Sequence, residues 1–144
     1  MATPYNDTSK LASIKTYIMI AFIFNIIAIV GFALSAISQI WTYATYKNVY
    51  DYFGVLTGYS TGFLITGIVL LVFAVFAILV FMRVRSMYNA VNSGNISTLK
   101  QYNNQMWAIL ALIFAGVIPG IMLLISFGPI NELGQTPPPP PPPT

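Results

Sequence analysis

The sequence predicts an all-α fold of membrane type, a helical bundle or hairpin with about three long, highly hydrophobic helices and a C-terminal polyproline tail. Hydrophobic residues make up 57% of the 144-residue chain and charged residues only 6%, whereas soluble domains contain about 25% charged residues. Three uncharged runs cover residues 16–46, 52–82 and 101–131. At about 1.5 Å of rise per residue, each run is long enough to cross a hydrocarbon core of about 30 Å.

The three runs are predicted to be helices rather than strands. A chain in lipid must satisfy its own backbone hydrogen bonds, which only helices and closed barrels achieve, and these runs lack the alternation of barrel strands. We place the helices at about residues 14–40, 54–83 and 98–127. Because Pro119 removes a helical hydrogen bond within the third run, we expect a kink or a break there. The third run is therefore either one helix or two.

The remaining segments are assigned from their composition. Residues 41–53 are rich in Trp and Tyr, which prefer membrane interfaces. In the polar segment 83–105, Gly94 is expected to end a helix, and Ser97 or Thr98 to cap the next one. The chain then divides into a hydrophobic helical domain, residues 1–131, and a proline-rich C-terminal tail, residues 132–144.

The distribution of basic residues predicts an orientation. Three spans would place the N-terminus and the segment 83–105 on one side, together with five of the six basic residues: Lys10, Lys15, Arg83, Arg85 and Lys100. Only Lys47 would lie opposite. Because cytoplasmic loops carry an excess of Lys and Arg, we expect this basic side to be cytoplasmic and the proline tail to be external.

Catalysis is disfavoured by the residue types that the chain lacks. It contains no His and no Cys, which removes the commonest general base, thiolate chemistry and the usual zinc ligands. No charged residue lies within a run, although pumps and proton relays usually need one. We predict no enzyme activity, no catalytic or metal site, no cofactor and no small-molecule substrate. The amide of Asn25, inside the first run, is expected to hydrogen-bond to a neighbouring helix.

Glycines at four-residue spacing are the clearest packing signal. Gly54, Gly58 and Gly62 share one helix face, and Gly116 and Gly120 repeat the spacing. Such faces allow two helix backbones to approach closely. They predict close helix packing, either within the chain or between subunits, with a ligand-binding groove as a third alternative.

The five basic residues of the predicted cytoplasmic side have two interpretations. As topology determinants, Lys10, Lys15, Arg83, Arg85 and Lys100 would face lipid headgroups. If many copies tile a shell, the same residues would line it and bind packaged DNA without sequence preference.

The tail contains seven consecutive prolines: Pro137, Pro138, Pro139, Pro140, Pro141, Pro142 and Pro143. They favour a polyproline II rod, about 20 Å long at about 3.1 Å per residue. We interpret it as a strap that contacts a neighbouring subunit, because aromatic grooves bind such rods, or as a surface spacer.

These features together resemble the major capsid proteins of tailed spindle-shaped archaeal viruses. The resemblance lies in the architecture of the whole chain, with very hydrophobic helices (Tyr17–Ile37, Phe63–Met82 and Met106–Phe127), almost no charge, no Cys and a small size. It implies a shell protein that inserts into the host membrane before assembly. Many copies would then form strands around a DNA-containing spindle and tail.

The predicted function is therefore structural. We expect a self-assembling major capsid subunit that forms a helical or spindle shell around DNA, located in the virion and, before assembly, in the host cell membrane. Its partners would be further copies of itself, membrane lipid and packaged DNA. The alternatives are a small accessory subunit of the cell membrane and a holin-like pore former.

Overall fold

The computed structural model describes the backbone of residues 4–53 and 57–135, and the side chains of residues 8–49, 52 and 60–135. The regular structure of these residues is helical, which confirms the predicted class. Five helices follow one another: α1 (Pro4–Phe53), α2 (Thr57–Asn92), α3 (Ile96–Tyr102), α4 (Gln105–Phe114) and α5 (Val117–Glu132). Instead of about three long helices, this part of the chain has two long helices and three shorter ones.

α1 and α2 are long enough and apolar enough to cross a membrane. Their apolar segments, Thr8–Val49 and Ser60–Asn92, contain stretches with mean hydropathies of 2.6 and 3.1. Only 17% and 22% of these stretches is buried, whereas the core helix of a soluble protein is mostly buried. Large apolar side chains therefore cover the outside of both helices, which indicates association with a membrane.

The two long helices pack antiparallel. Phe22 of α1 stacks on Phe81 and Tyr88 of α2, with ring centroids 5.2 and 5.1 Å apart. Further along α1, Phe32 meets Phe73 edge to face at 5.7 Å. Higher residue numbers on α1 therefore pair with lower residue numbers on α2. The start of α1 and the end of α2, which carry four of the six basic residues, therefore lie at the same end, as the sequence predicts; the fifth, Lys100, lies on α3, which follows α2 at this end.

Towards the end opposite the basic residues, small residues line the seam between α1 and α2. Buried positions Ser60, Gly67 and Ala74 recur every seven residues on α2, the spacing of a coiled-coil seam. A Cβ atom on Gly67 would lie 2.7 Å from Cγ1 of Ile40 and 3.3 Å from the Ala36 carbonyl oxygen. Gly67 therefore allows the close approach of α1, although it stands outside the four-residue glycine series of the sequence.

The polar segment folds differently from its prediction in two respects. α2 continues to Asn92, nine residues beyond the predicted end at 83, because Met87, Ala90 and Val91 pack into the core with Leu99. Gly94 does end the helical region, with φ +67°. The prediction of Ser97 or Thr98 as the N-cap is wrong.

The N-caps of α3 and α4 are both asparagines. The Asn95 side chain accepts a hydrogen bond from the Thr98 N–H at 3.0 Å, and the Asn104 side chain accepts one from the Met106 N–H at 2.8 Å. Short polar side chains at this position satisfy backbone N–H groups that the first turn leaves unpaired. The third predicted helix, 98–127, is consequently replaced by α3, α4 and α5.

The break in the third hydrophobic run occurs at Gly116 rather than at Pro119. Gly116 has φ +108° and ψ +167°, a conformation that is essentially restricted to glycine. Pro119 becomes the third residue of α5, where a helix has no internal acceptor for the missing N–H. α4 and α5 are about 15 and 24 Å long, so neither alone reaches across a hydrocarbon core of about 30 Å.

Candidate functional site

The third hydrophobic run is a helical hairpin. A Cβ atom on Gly120 would lie 2.5 Å from the Leu112 Cα atom and 2.6 Å from its backbone N atom. These residues are eight positions apart, which in a continuous helix would separate them by about 12 Å. The chain therefore reverses at Gly116, and Gly120 brings α5 against the backbone of α4. Gly120 thus makes a close helix contact within the chain, whereas Gly116 supplies the turn.

α5 returns to the basic end of the molecule. Nζ of Lys10 lies 3.0 Å from Oε2 of Glu132. The Asn103 side chain, which precedes α4, donates hydrogen bonds of 2.9 Å to the Phe127 carbonyl and to Oδ1 of Asn131. The end of α5 is thus fixed beside both the start of α1 and the start of α4.

This arrangement overturns the predicted three-span topology. The expectation that the chain after the third run leaves on the side opposite Lys10 is wrong for Glu132, because α4 and α5 enter and leave at the same end. Asp51 belongs to the other end of α1, about 60 Å from Lys10 at about 1.5 Å per residue.

The hairpin covers only half of the α1–α2 pair. Along α1, α5 packs from Lys10 to an apolar cleft in which Phe24, Ile27 and Ala28 face the hairpin turn at residues 115–119. Along α2, Phe114 at the end of α4 packs against Phe73 and Phe76, with centroids 5.3 and 4.4 Å apart. Beyond this level, the described residues place no helix against the same faces of α1 and α2.

The uncovered continuation of these two faces carries small residues beside large ones. On α1, steps of three or four residues lead from Ile27 and Ala28 to Gly31, Leu34, Ser35 and Ser38, and on α2 they lead from Phe73 and Val69 to Thr66, Ile65 and Gly62. We call this surface the half-groove and define it by the exposed residues Gly31, Ser35 and Ser38 of α1 with Gly62 and Thr66 of α2. A Cβ atom added at Gly31 or Gly62 would meet nothing within 4 Å.

Asn25 does not make the helix-to-helix hydrogen bond expected from the sequence. Its side chain is fully buried in the seam, and both amide atoms are without a hydrogen-bond partner among the described residues. The antiparallel register of α1 and α5 places Asn25 level with the hairpin turn. A buried amide without a partner costs stability.

Two of the five predicted headgroup- or DNA-facing residues are held by the protein itself. Lys10 pairs with Glu132 as described above. The Arg83 guanidinium donates to the carbonyls of Tyr102 at 3.2 Å and Gln101 at 3.4 Å, and it lies over the rings of Tyr102 and Trp107. It therefore satisfies carbonyls that the end of α3 leaves unpaired.

The other three, Lys15, Arg85 and Lys100, lie at the same end of the molecule, with Lys15 and Arg85 exposed. That the five basic residues face headgroups or nucleic acid stays a prediction. No motif signals the capping role of Arg83, because α3 approaches it only through the tertiary fold.

The other predicted site residues fall partly outside the described structure. Gly54 and the tail prolines, residues 137–143, lie outside the described residues, and Gly58 belongs to α2 but its surroundings are not described. Gly62 is exposed on the half-groove, so its predicted subunit contact stays a prediction.

The comparisons with known proteins give no relative. No protein-family model, curated protein or solved structure matches the chain. Among the side chains that the structure describes, the distinctive surfaces are the half-groove and the cleft between α1 and α5.

Proposed function

We propose that the protein is a structural membrane subunit that self-associates through the half-groove. The observation that carries this proposal is that five exposed glycine, serine and threonine residues lie on the uncovered half of a face whose other half binds the hairpin. In this chain, the small residues Gly67 and Gly120 already serve close helix packing. The half-groove also contains small residues, but no described helix packs against it.

Lipid chains are a poor occupant of this surface. Helix interfaces in membranes are enriched in Gly, Ser and Thr, because van der Waals contact and interhelical hydrogen bonds, rather than hydrophobicity, drive helix association in lipid. On other faces of α1 and α2, the exposed side chains are large and branched, as at Val30, Ile68 and Val75. The half-groove is therefore the part of the outer surface best suited to another helix pair.

A second copy of the chain is the partner that this geometry favours. Copies inserted in the same orientation, with their basic ends on one side, present the half-groove at the same depth. Two such surfaces pair about a twofold axis along the membrane normal, as in isologous dimers. The serine and threonine hydroxyls can then hydrogen-bond across the interface.

A more specific proposal is that many copies form the shell that the sequence resemblance implies. In that form the protein is a capsid subunit, and self-association through the half-groove is one contact of a helical or spindle lattice around DNA. Electron microscopy of native material tests it. A repeating shell around nucleic acid supports the capsid subunit, fixed stoichiometry with larger chains favours the accessory subunit, and dye release from liposomes favours the pore former.

The self-association itself is tested with Gly31→Leu. A leucine at this position fills the half-groove, so we expect the dimer dissociation constant in liposomes to rise at least about tenfold, equivalent to about 1.4 kcal/mol. The measurement is energy transfer between labelled copies at increasing lipid dilution. Gly128→Leu is the matched control, because Gly128 is also exposed with nothing within 4 Å but lies on α5.

Equal dissociation constants for the Gly31→Leu variant and the unmodified chain would remove the half-groove from the interface. A monomeric state of the unmodified chain at all lipid ratios would contradict the proposal as a whole.

A further inference from the structure

We infer that the cleft between α1 and α5 binds one phospholipid whose headgroup carries both a phosphate and a primary ammonium group. This cleft has a volume of about 260 Å³ and is lined by Ser9, Lys10, Ser13, Tyr17, Ile125, Pro129 and Glu132. It is slightly smaller than most binding pockets for small molecules, which measure about 300–1,000 Å³. The inference is independent of self-association, because the half-groove lies at the other end of α1.

The lining of the cleft has a polar part and an apolar part, as a lipid molecule does. At its mouth are the charged and hydroxyl-bearing side chains of Ser9, Lys10, Ser13 and Glu132, and deeper along the helices are Tyr17 and Ile125. Proceeding along α1 from Lys10 leads into the apolar segment and hence towards the membrane interior. A headgroup at the mouth would therefore direct an acyl chain along Tyr17 and Ile125.

The charges at the mouth match a zwitterion rather than an anion. Lys10 and Glu132 are paired at 3.0 Å, with 44% and 60% of their side chains exposed, and exposed pairs of this kind contribute little to stability. Each member can therefore exchange its partner at small cost. A phosphate would accept hydrogen bonds from Lys10, and an ammonium group would donate to Glu132.

The other nearby basic residue of α1 does not alter this balance. Lys15 follows Lys10 by five residues, which at 3.6 residues per turn puts it about 140° around the helix. Lys15 is accordingly not among the residues that line the cleft. The described side chains at the mouth thus carry one positive and one negative charge.

The cleft also contains neutral acceptors for an ammonium group. Pro129 has no N–H, so the Ile125 carbonyl lacks the donor that residue 129 normally supplies in a helix. Oγ of Ser13 donates to the Ser9 carbonyl at 3.3 Å and retains its lone pairs as acceptors. Primary ammonium groups carry three donors, whereas the quaternary ammonium of phosphatidylcholine carries none.

Native mass spectrometry of the full chain tests this assignment. The detergent-solubilised protein is mixed with equal amounts of phosphatidylethanolamine, phosphatidylglycerol and phosphatidylcholine. We expect phosphatidylethanolamine to be retained about tenfold more than either other lipid, the ratio expected for one hydrogen bond between charged groups. Glu132→Gln should abolish its advantage over phosphatidylcholine, and Lys10→Gln should reduce retention of all three lipids.

Lys15→Gln is the matched control and should leave the retention ratios unchanged, since Lys15 points away from the cleft. Ser13→Leu narrows the cleft without removing a charge and should reduce all lipid retention. The Gly31→Leu variant should keep the lipid preference, which separates this test from that of self-association. Equal retention of the three lipids, preferential retention of phosphatidylglycerol, or an unchanged preference in Glu132→Gln would each overturn the assignment.

Discussion

At the scale of single residues, Asn25 is a polar side chain in a fully buried position. The sequence predicts a hydrogen bond from its amide to another helix, since a lone amide within an apolar run usually finds a partner. The structure instead buries the amide, and neither of its polar atoms has a hydrogen-bond partner among the described residues. The antiparallel register of α1 and α2 places Asn25 level with buried apolar residues of α2, such as Ala77 and Val80.

Replacing Asn25 by valine should therefore stabilise the protein. A buried polar group without a partner costs about 1–3 kcal/mol, so we expect Asn25→Val to raise the free energy of unfolding by at least about 1 kcal/mol. The measurement is thermal unfolding in detergent micelles, followed by circular dichroism. Asn89→Val, at an exposed position of α2, is the control and should bring no such gain. Destabilisation by Asn25→Val would mean that the amide has a bound partner, such as a water molecule.

At the scale of elements, the hairpin of α4 and α5 depends on two glycines with different roles. Gly116 supplies a backbone conformation, and Gly120 supplies space for the Leu112 backbone. The sequence shows both glycines at the four-residue spacing of a packing face, but it does not distinguish a turn from a helix surface. A glycine in a turn and a glycine on a helix surface give the same sequence pattern. Only the φ of Gly116 shows that it lies in a turn.

Gly116→Ala should loosen the hairpin. An L-residue at φ +108° and ψ +167° costs about 1–3 kcal/mol, so the variant should unfold at a lower temperature than the unmodified chain. Gly31→Ala is the matched control. It lies within α1 with open space around it, where alanine is the better helix former by about 0.8–1.0 kcal/mol. A Gly116→Ala variant as stable as the control would contradict the hairpin turn and favour a continuous, kinked span.

At the scale of the whole molecule, the hairpin decides the topology. The chain has two helices long enough to span and a pair that enters and leaves at the basic end, as the contacts of Lys10 with Glu132 and of Asn103 with Asn131 show. The described part of the chain therefore begins and ends at the same end of the bundle. This predicts an even number of membrane crossings, with the residues before the tail on the same side as the N-terminal end of α1.

Single-cysteine labelling can test this topology, because the chain contains no cysteine of its own. In proteoliposomes, Ser9→Cys and Gln135→Cys should react with a membrane-impermeant maleimide from the same side, and Asn48→Cys from the opposite side. All three positions are exposed. Reaction of Gln135→Cys together with Asn48→Cys would restore the three-span topology and would also remove the cleft between α1 and α5.

The sequence by itself determined the helical class, the two long apolar helices and the clustering of basic residues at one end. These properties follow from composition and hydropathy, which act locally along the chain. Only the tertiary structure decided that the third apolar run turns back, that Arg83 caps α3, and that α5 leaves the half-groove open. Each of these depends on contacts between residues far apart in sequence, such as Lys10 and Glu132. A segment with Gly116, Pro119 and Gly120 is compatible with a kinked span as well as with a hairpin until those contacts choose between them.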